Sequence, residues 1–172
     1  SSGTSAIGPN AVAMGYQSTA SGIRSTAMGD NTTASGSAST AMGNNTTASG
    51  SASTAMGFLT TASGSISTAM GEGTTAIGSR STAMGYGTVA SDYASTVIGQ
   101  YNSSGSSATS ATSFSTSAPA FVIGNGTSGS LSDAFKVMFN GDATVSNDLT
   151  VSGDVVISSD ARLKSNIVSL GS

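Results

Sequence analysis

The sequence predicts an all-β protein whose larger part is a parallel β-solenoid with 14-residue coils, and three observations predict it. Glycine recurs at every seventh position from Gly8 to Gly99, with one exception at Asp92. Alanine stands two positions before that glycine in every unit from Ala6 to Ala90. The residue directly before the glycine alternates between Met and Ser over most of the series, so the repeat is fourteen residues and not seven.

A seven-residue spacing can also arise in a coiled coil, but this composition does not fit one. A coiled coil needs two large apolar residues in each heptad, and a glycine in each heptad would cost about 1 kcal/mol of helix stability. Collagen needs glycine at every third position, which this chain lacks. We therefore predict that Thr-Ala-Met and Thr-Ala-Ser are short strands. Each glycine and the two variable residues after it then form a turn.

The alternation of side chains along a strand predicts which residues lie inside the solenoid. In Thr26-Ala27-Met28 the alanine faces one side, and its two neighbours face the other. Because alanine is common to both kinds of strand, we expect it inside, where two sheets approach closely. Met then lies on the outer face of one sheet and Ser on the outer face of the other. The opposite arrangement, with Met inside, stays open.

The outward methionines predict a subunit interface. A stripe of exposed apolar side chains of this size normally marks a contact surface, so we expect the Met sheet to pack against other subunits. The residues predicted for this interface are Met14, Met28, Met42, Met56, Met70, Met84 and Ile98.

The composition excludes several classes of function. Only 8% of the residues are charged, against about 25% in ordinary soluble domains. The absence of Cys and His excludes disulfides and thiolate metal sites and removes the usual general bases. We therefore expect no metal, no cofactor and no enzyme activity beyond a single self-cleavage considered below. The five Lys and Arg form no basic patch for nucleic acid, and no run of about 18 apolar residues could insert into a membrane.

The repeat units carry a resemblance to a known family. STAMG, TTASG, SAIG at residues 5–8 and TVIG at residues 96–99 resemble the head repeats of trimeric autotransporter adhesins, over residues 4–99. The resemblance implies a left-handed parallel β-roll over residues 1–99, wound as an intertwined homotrimer on an extracellular surface. The chain uses Met where such heads usually carry Ile. Since it starts inside the repeat at Ser1, we expect a fragment or a processed piece.

After the repeat, the composition changes twice. Residues 100–119 are rich in Ser and Thr and predict a linker or neck. Residues 120–158 predict a β-prism or hairpin region with short strands at 120–123, 135–139, 149–151 and 155–157. Asn140-Gly141 is a hairpin signal. Because so few strands cannot form a core alone, we expect three chains to interdigitate here.

The last residues carry the second resemblance. Ser159-Asp160-Ala161-Arg162-Leu163-Lys164 resembles the opening of the endosialidase-type intramolecular chaperone of phage tail fibres and bacterial surface proteins. The resemblance implies that residues 159–172 begin a truncated chaperone domain, with Ser159 and Lys164 as the cleavage dyad and the cut after Ser158. The alternative is a turn into that domain without cleavage.

The turns and the Ser sheet offer candidate contact surfaces. Phe58, Leu59, Tyr16 and Tyr86 follow glycines and could contact a receptor, such as a host cell, a surface or a glycan, or a neighbouring subunit. The sequence thus predicts a structural or adhesive segment of a trimeric fibre, from a cell surface or a virion. Two alternatives stay open: a passive fibre spacer and an ice-binding solenoid. The outward hydroxyl pairs that suggest ice binding are Thr33/Ser35, Thr47/Ser49 and Thr61/Ser63.

Overall fold

A computed structural model describes residues 3, 5, 6 and 8–153, and every regular element among these residues is a β-strand. Strands of five residues alternate with strands of two residues along the repeat. The long strands are β2 (Val12–Tyr16), β4 (Thr26–Asp30), β6 (Thr40–Asn44), β8 (Thr54–Phe58), β10 (Thr68–Glu72), β12 (Thr82–Tyr86) and β14 (Thr96–Gln100). The short strands are β1 (Ser5–Ala6), β3 (Thr19–Ala20), β5 (Thr33–Ala34), β7 (Thr47–Ala48), β9 (Thr61–Ala62), β11 (Thr75–Ala76) and β13 (Val89–Ala90).

All neighbouring strands of the repeat pair in parallel, with a register of fourteen residues. Ala27 pairs with Ala41 and Met28 with Met42 in the long sheet, while Thr33 pairs with Thr47 in the short sheet. The predicted 14-residue coil of a parallel solenoid is therefore confirmed. The predicted turn needs one correction, because each long strand continues through its glycine and one residue beyond it.

The core of the solenoid is a double row of alanines between the two sheets. These side chains are completely buried: Ala20, Ala27, Ala34, Ala41, Ala48, Ala55, Ala62, Ala69, Ala76, Ala83 and Ala90. The prediction of alanine inside is confirmed, and the alternative with Met inside is wrong. The coils also touch directly, because a Cβ added at Gly29 would lie 1.9 Å from the carbonyl oxygen of Gly43.

The two sheets end differently after the last coil. The short sheet stops at β13, whereas the long sheet continues through β15 (Pro119–Asn125), β16 (Asp133–Met138) and β17 (Ala143–Val145) to become ten-stranded. β15 pairs with β14 in parallel, and β16 and β17 follow in antiparallel order. The predicted strand at 120–123 lies on β15, and the one at 135–139 lies on β16 except for Phe139, which follows its end.

The hairpin signal and one predicted strand have different outcomes. Asn140-Gly141 does lie in the turn between β16 and β17, where Gly141 has φ 96° and the Met138 N–H donates to the Asp142 carbonyl over 2.8 Å. The predicted strand at 149–151 is wrong, because those residues pair with no strand among the described residues and Leu149 is 72% exposed. The predicted strand at 155–157 lies outside the described residues.

The segment between β14 and β15 has no regular strand but packs over the open edge of the short sheet. The Ser91 N–H donates to the Gly105 carbonyl over 2.9 Å, and the Tyr93 N–H donates to the Ser110 carbonyl over 2.8 Å. Further on, the Phe139 N–H donates to the Ala118 carbonyl over 3.1 Å. The backbone groups at this edge are thus satisfied by a cover of irregular chain.

Candidate subunit interface

The outer face of the long sheet carries a straight row of large apolar side chains. The register places every methionine of the long strands above the previous one, and Ile98 continues the row. Beyond the repeat, Ile98 pairs with Ile123, Ile123 with Phe135, and Phe135 with Val145. We call this row the apolar stripe; it comprises Met14, Met28, Met42, Met56, Met70, Met84, Ile98, Ile123, Phe135 and Val145.

The apolar stripe is only partly covered within one chain. Met14 is 54% exposed, Met28 37% and Met84 38%, whereas Met42, Met56, Met70 and Ile98 are half-buried. Each predicted interface residue therefore points away from the alanine core and toward the surface of the chain. In the last coil, the aromatic rings of Phe121 and Phe135 lie 6.3 Å apart and widen the stripe.

The stripe crosses the boundary between the repeat and the hairpin, which the sequence analysis had treated as separate. The tripeptide Val-Ile-Gly occurs at 97–99 and again at 122–124. Val122 is completely buried above the equally buried Val97, and so it extends the core by one further layer. This repeated tripeptide was the signal that could have identified β15 as a continuation of the long sheet.

The stripe is bordered by two columns of corner residues. The long-sheet corner is the pair of residues after each long-strand glycine: Tyr16-Gln17, Asp30-Asn31, Asn44-Asn45, Phe58-Leu59, Glu72-Gly73, Tyr86-Gly87 and Gln100-Tyr101. The short-sheet corner is the pair after each short-strand glycine position: Pro9-Asn10, Ile23-Arg24, Ser37-Ala38, Ser51-Ala52, Ser65-Ile66, Ser79-Arg80 and Tyr93-Ala94. The second residue of each pair has a positive φ, for example 55° at Leu59 and 59° at Ile66.

All the residues predicted as a binding surface lie at the long-sheet corner. Tyr16 is 55% exposed, Phe58 43%, Leu59 52% and Tyr86 44%. The register stacks Tyr16, Phe58 and Tyr86 in one column but separates them by intervening coils, so they form a row and not a cluster.

Polar contacts tie neighbouring coils together at the long-sheet corner. The Asn44 amide donates to the Asp30 carboxylate over 3.2 Å, and the Asn31 amide donates to the Asn45 side-chain oxygen over 2.5 Å. In the last coils the Tyr86 and Tyr101 rings meet edge to face at 5.0 Å. A side-chain hydrogen bond with Tyr86 raises the pKa of Tyr101 above its usual value.

Two buried polar residues that close the end of the roll were missed by the sequence analysis. Asp92 stands where the repeat has glycine, and its Oδ1 accepts the Thr109 and Ser110 N–H groups at 2.6 Å each. Asn102 stands where the repeat has Thr, and its side chain pairs with both the N–H and the carbonyl of Val89 at 2.8 and 2.9 Å. In both cases the sequence signal that could have identified the residue is its departure from the repeat.

The remaining candidates are the predicted cleavage dyad, a metal site and a membrane-spanning segment. Ser159 and Lys164 lie outside the described residues. Among the described residues, no group of three or more His, Cys, Asp or Glu side chains could hold a metal ion, and no pocket is present. The described part of the chain contains no helix long and apolar enough to cross a membrane.

Comparison with known proteins agrees with the geometry of the roll. Residues 6–32, 34–60 and 76–102 match the family described as YadA head domain repeat (2 copies). No curated protein matches the chain significantly. Each matched stretch spans both sheets, from a short strand through a long strand, as a 14-residue coil requires. Over these three stretches the roll is similar to YadA head repeats.

Proposed function

We propose that this chain is a structural and adhesive segment of an extracellular homotrimeric fibre, displayed on a cell surface or a virion. The observation that carries the proposal is the apolar stripe, which runs without interruption from Met14 to Val145 on one face of one sheet. The opposite sheet presents Ser and Thr to water, as with the exposed Ser35 and Ser49. This asymmetry fits a chain with one face toward its partners and one face toward solvent.

The energetics favour burial of the stripe between chains. Fully burying one side chain of this size contributes about 1.5–3 kcal/mol relative to leaving it exposed, and four members of the stripe are between 37% and 54% exposed. Summed over the stripe of three chains, this contribution exceeds the usual cost of association. Methionine also adapts its shape to an uneven contact surface, which suits a row in which each side chain meets two neighbours near a three-fold axis.

The proposal gives the four parts of the chain distinct roles. Residues 1–99 form the β-roll head, and residues 100–119 form a neck over its last coil. Residues 120–158 form a β-prism in which the three chains interdigitate. Residues 159–172 begin the intramolecular chaperone domain that would assist trimer assembly.

The mass of the particle in solution tests the trimer. We expect light scattering on the purified chain to give three times the chain mass of 16.5 kDa, independent of concentration over the micromolar range. A stable monomer with the circular dichroism of a β protein would overturn the proposal, because nothing would then cover the stripe.

Adhesion is tested separately from assembly. We expect beads coated with the trimer to attach to host cells or to a glycan surface more strongly than beads coated with an unrelated β-solenoid. A stable trimer that attaches to no surface would favour the passive spacer. Ice-recrystallisation inhibition by the same sample would favour the ice-binding alternative.

Self-cleavage is the remaining part of the proposal. A lysine with a lowered pKa can activate a neighbouring hydroxyl as a nucleophile, and this is the role proposed for Lys164 toward Ser159. We expect the full-length gene product to lose its C-terminal part after Ser158, and Ser159→Ala to abolish that loss in the chain mass. Equal masses for wild type and variant would leave residues 159–164 as a turn into an uncleaved domain.

A further inference from the structure

We infer that the two corners of the roll meet between neighbouring subunits, with the long-sheet corner of one chain against the short-sheet corner of the next. In this arrangement each long-sheet corner pair faces the short-sheet corner pair that follows it by seven residues in the repeat. The inference rests on the proposed homotrimer and specifies which surfaces of it touch and in which register.

Symmetry dictates that opposite corners meet. A cyclic trimer has heterologous interfaces, in which one patch of a subunit contacts a different patch of the next. If the long sheets surround the three-fold axis with their stripes, one edge of each sheet must meet the other edge of its neighbour. Those two edges are the long-sheet and short-sheet corners.

Symmetry also limits the register to two choices. Three equivalent chains lie at the same height along the axis, and successive coils are about 4.8 Å apart. A short-sheet corner lies half a coil above or below a given long-sheet corner. Each long-sheet pair can therefore face the short-sheet pair seven residues later or the one seven residues earlier.

The distribution of large side chains favours the later pair. Phe58-Leu59 is followed after seven residues by Ser65-Ile66, and Ile66 is 53% exposed. Tyr16 is followed in the same way by Ile23, which is 48% exposed. The coils between them carry only small or polar side chains at both corners, such as Asn44-Asn45 followed by Ser51-Ala52. Large residues at one corner thus match large residues at the other, although a sheet separates the two corners within one chain.

Each register brings one pair of opposite charges together. The earlier register pairs Asp30 with Arg24, and the later register pairs Glu72 with Arg80. The later pair is the one whose carboxylate lacks a hydrogen-bonding partner among the described residues, because Asp30 already accepts a hydrogen bond from Asn44.

Glu72-Gly73 is followed after seven residues by Ser79-Arg80, which brings opposite charges together. Within the described residues Glu72 forms no ion pair, and the Arg80 guanidinium lies 5.2 Å from the centre of the Tyr93 ring. The earlier register would instead place Glu72 against Ile66.

The backbone at Ile66 adds a third observation. Ile66 has φ 59°, a left-handed conformation that is unfavourable for a β-branched residue. Other coils place Ala38 or Ala52 at the equivalent position with nearly the same φ. An exposed isoleucine at a strained position gains nothing within one chain, whereas contact with Phe58 and Leu59 of a neighbour would compensate the strain.

Disulfide cross-linking tests the register directly, because the chain contains no cysteine. The double variant Leu59→Cys/Ile66→Cys joins neighbours in the proposed register. The matched control Leu59→Cys/Ala52→Cys joins them in the earlier one. All three positions have left-handed backbone, so the two variants carry the same kind of local strain. After mild oxidation, we expect covalent trimers on a denaturing gel from the first variant and monomers from the second.

A charge-reversal cycle gives an independent readout. We expect Glu72→Arg and Arg80→Glu each to lower the melting temperature of the trimer, and the double reversal to restore at least half of the combined loss. The same cycle on Asp30 and Arg24, which only the earlier register brings together, should show additive effects.

The outcomes separate the inference from the proposed function. A monomeric wild type would overturn the trimer and this inference together. A trimer that cross-links only through Leu59→Cys/Ala52→Cys, or that shows coupling only between Asp30 and Arg24, would overturn the register alone. Intact trimer under reducing conditions is the folding control, and a trimer that cross-links in neither variant would overturn the contact between corners.

Discussion

The long and short sheets of the roll are built from nearly the same sequence and have different backbones. Both contain Thr-Ala-x-Gly, yet the long strands span five residues and the short strands two. The long-strand glycines have positive φ, such as 130° at Gly29, whereas the short-strand glycines, such as Gly36, do not. The comparison teaches that the residues after the glycine decide where a strand ends.

A backbone hydrogen bond accompanies the end of the short strands, because the N–H three residues after the short-strand glycine donates to its carbonyl, as from Ser39 to Gly36 over 3.2 Å. Three residues after a short-strand glycine, Ser25, Ser53 and Ser67 donate their side-chain hydrogen bonds to that glycine's carbonyl at 2.7–2.8 Å. These hydroxyl contacts reinforce the turn in those coils, whereas the Ser39 hydroxyl has no partner among the described residues and the Ser81 hydroxyl donates to the Ala90 carbonyl over 3.2 Å. At the equivalent long-sheet position Thr32 donates instead to the Ser18 hydroxyl of the coil before, over 2.8 Å. The long strand there continues through Gly29 to Asp30.

The largest effect should come from adding a methyl group at a long-strand glycine. In Gly43→Ala the new Cβ would lie 2.0 Å from the Gly57 carbonyl oxygen, at a φ of 125° that excludes side chains. We expect a loss of about 3 kcal/mol or more in the free energy of unfolding, measured by urea denaturation. Gly73→Ala is the control, because its φ is 62° and the nearest atom lies 3.8 Å away.

The loss in Gly43→Ala has two causes, the close contact with the next coil and the positive φ, and Gly50→Ala separates them. Its Cβ would lie 1.9 Å from the Gly64 carbonyl oxygen, but its φ is not positive. It should therefore also unfold the roll at lower urea than wild type, although less severely than Gly43→Ala. Full tolerance of Gly50→Ala would contradict the direct contact between coils of the short sheet.

The second largest effect should distinguish the outer faces of the two sheets. Met56→Lys places a charge in the middle of the apolar stripe, and three such charges would meet near the proposed axis. We expect the particle to dissociate to monomers by light scattering. The matched control Ser63→Lys places the same charge on the exposed face of the short sheet and should leave the mass unchanged. A trimer that survives Met56→Lys would place the subunit interface elsewhere.

The outward direction of the methionines could be predicted because side chains alternate along any strand and only alanine fits both sheets. The unequal strand lengths could not, since they depend on whether a backbone N–H three residues later turns back to the glycine carbonyl, and both sheets carry a similar Gly-x-x-Ser or Gly-x-x-Thr sequence there. The strand at 149–151 was predicted from its apolar residues and the turn pairs around it, but a strand also needs a neighbour to pair with. At the candidate interface, Ile123, Phe135 and Val145 escaped prediction because their place in the stripe depends on the pairing of β14 with β15.

A smaller loss of stability is expected from a substitution at the end of the short sheet, next to β13. Asn102 is buried, and its amide pairs with the backbone of Val89 as a further strand would. We expect Asn102→Ala to cost about 1–3 kcal/mol, because it leaves buried polar groups without partners. Hydrogen exchange at the Val89 amide should then accelerate. Gln100→Ala removes one partly buried hydrogen bond in the same coil and should leave that exchange rate unchanged.

The smallest effect compares two buried hydroxyls that lie at equivalent places after the two kinds of glycine. The Ser53 hydroxyl donates to the Gly50 carbonyl over 2.8 Å, so Ser53→Ala should cost about 1 kcal/mol of unfolding free energy. The buried Thr60 hydroxyl has no partner within the described residues, so Thr60→Val keeps the shape of the side chain and removes only an unsatisfied group. We expect Thr60→Val to be neutral or to stabilise the roll by up to about 1 kcal/mol. If both variants lost the same stability in urea denaturation, the Ser53 hydroxyl would add nothing to the turn after Gly50 beyond the backbone hydrogen bond from the Ser53 N–H.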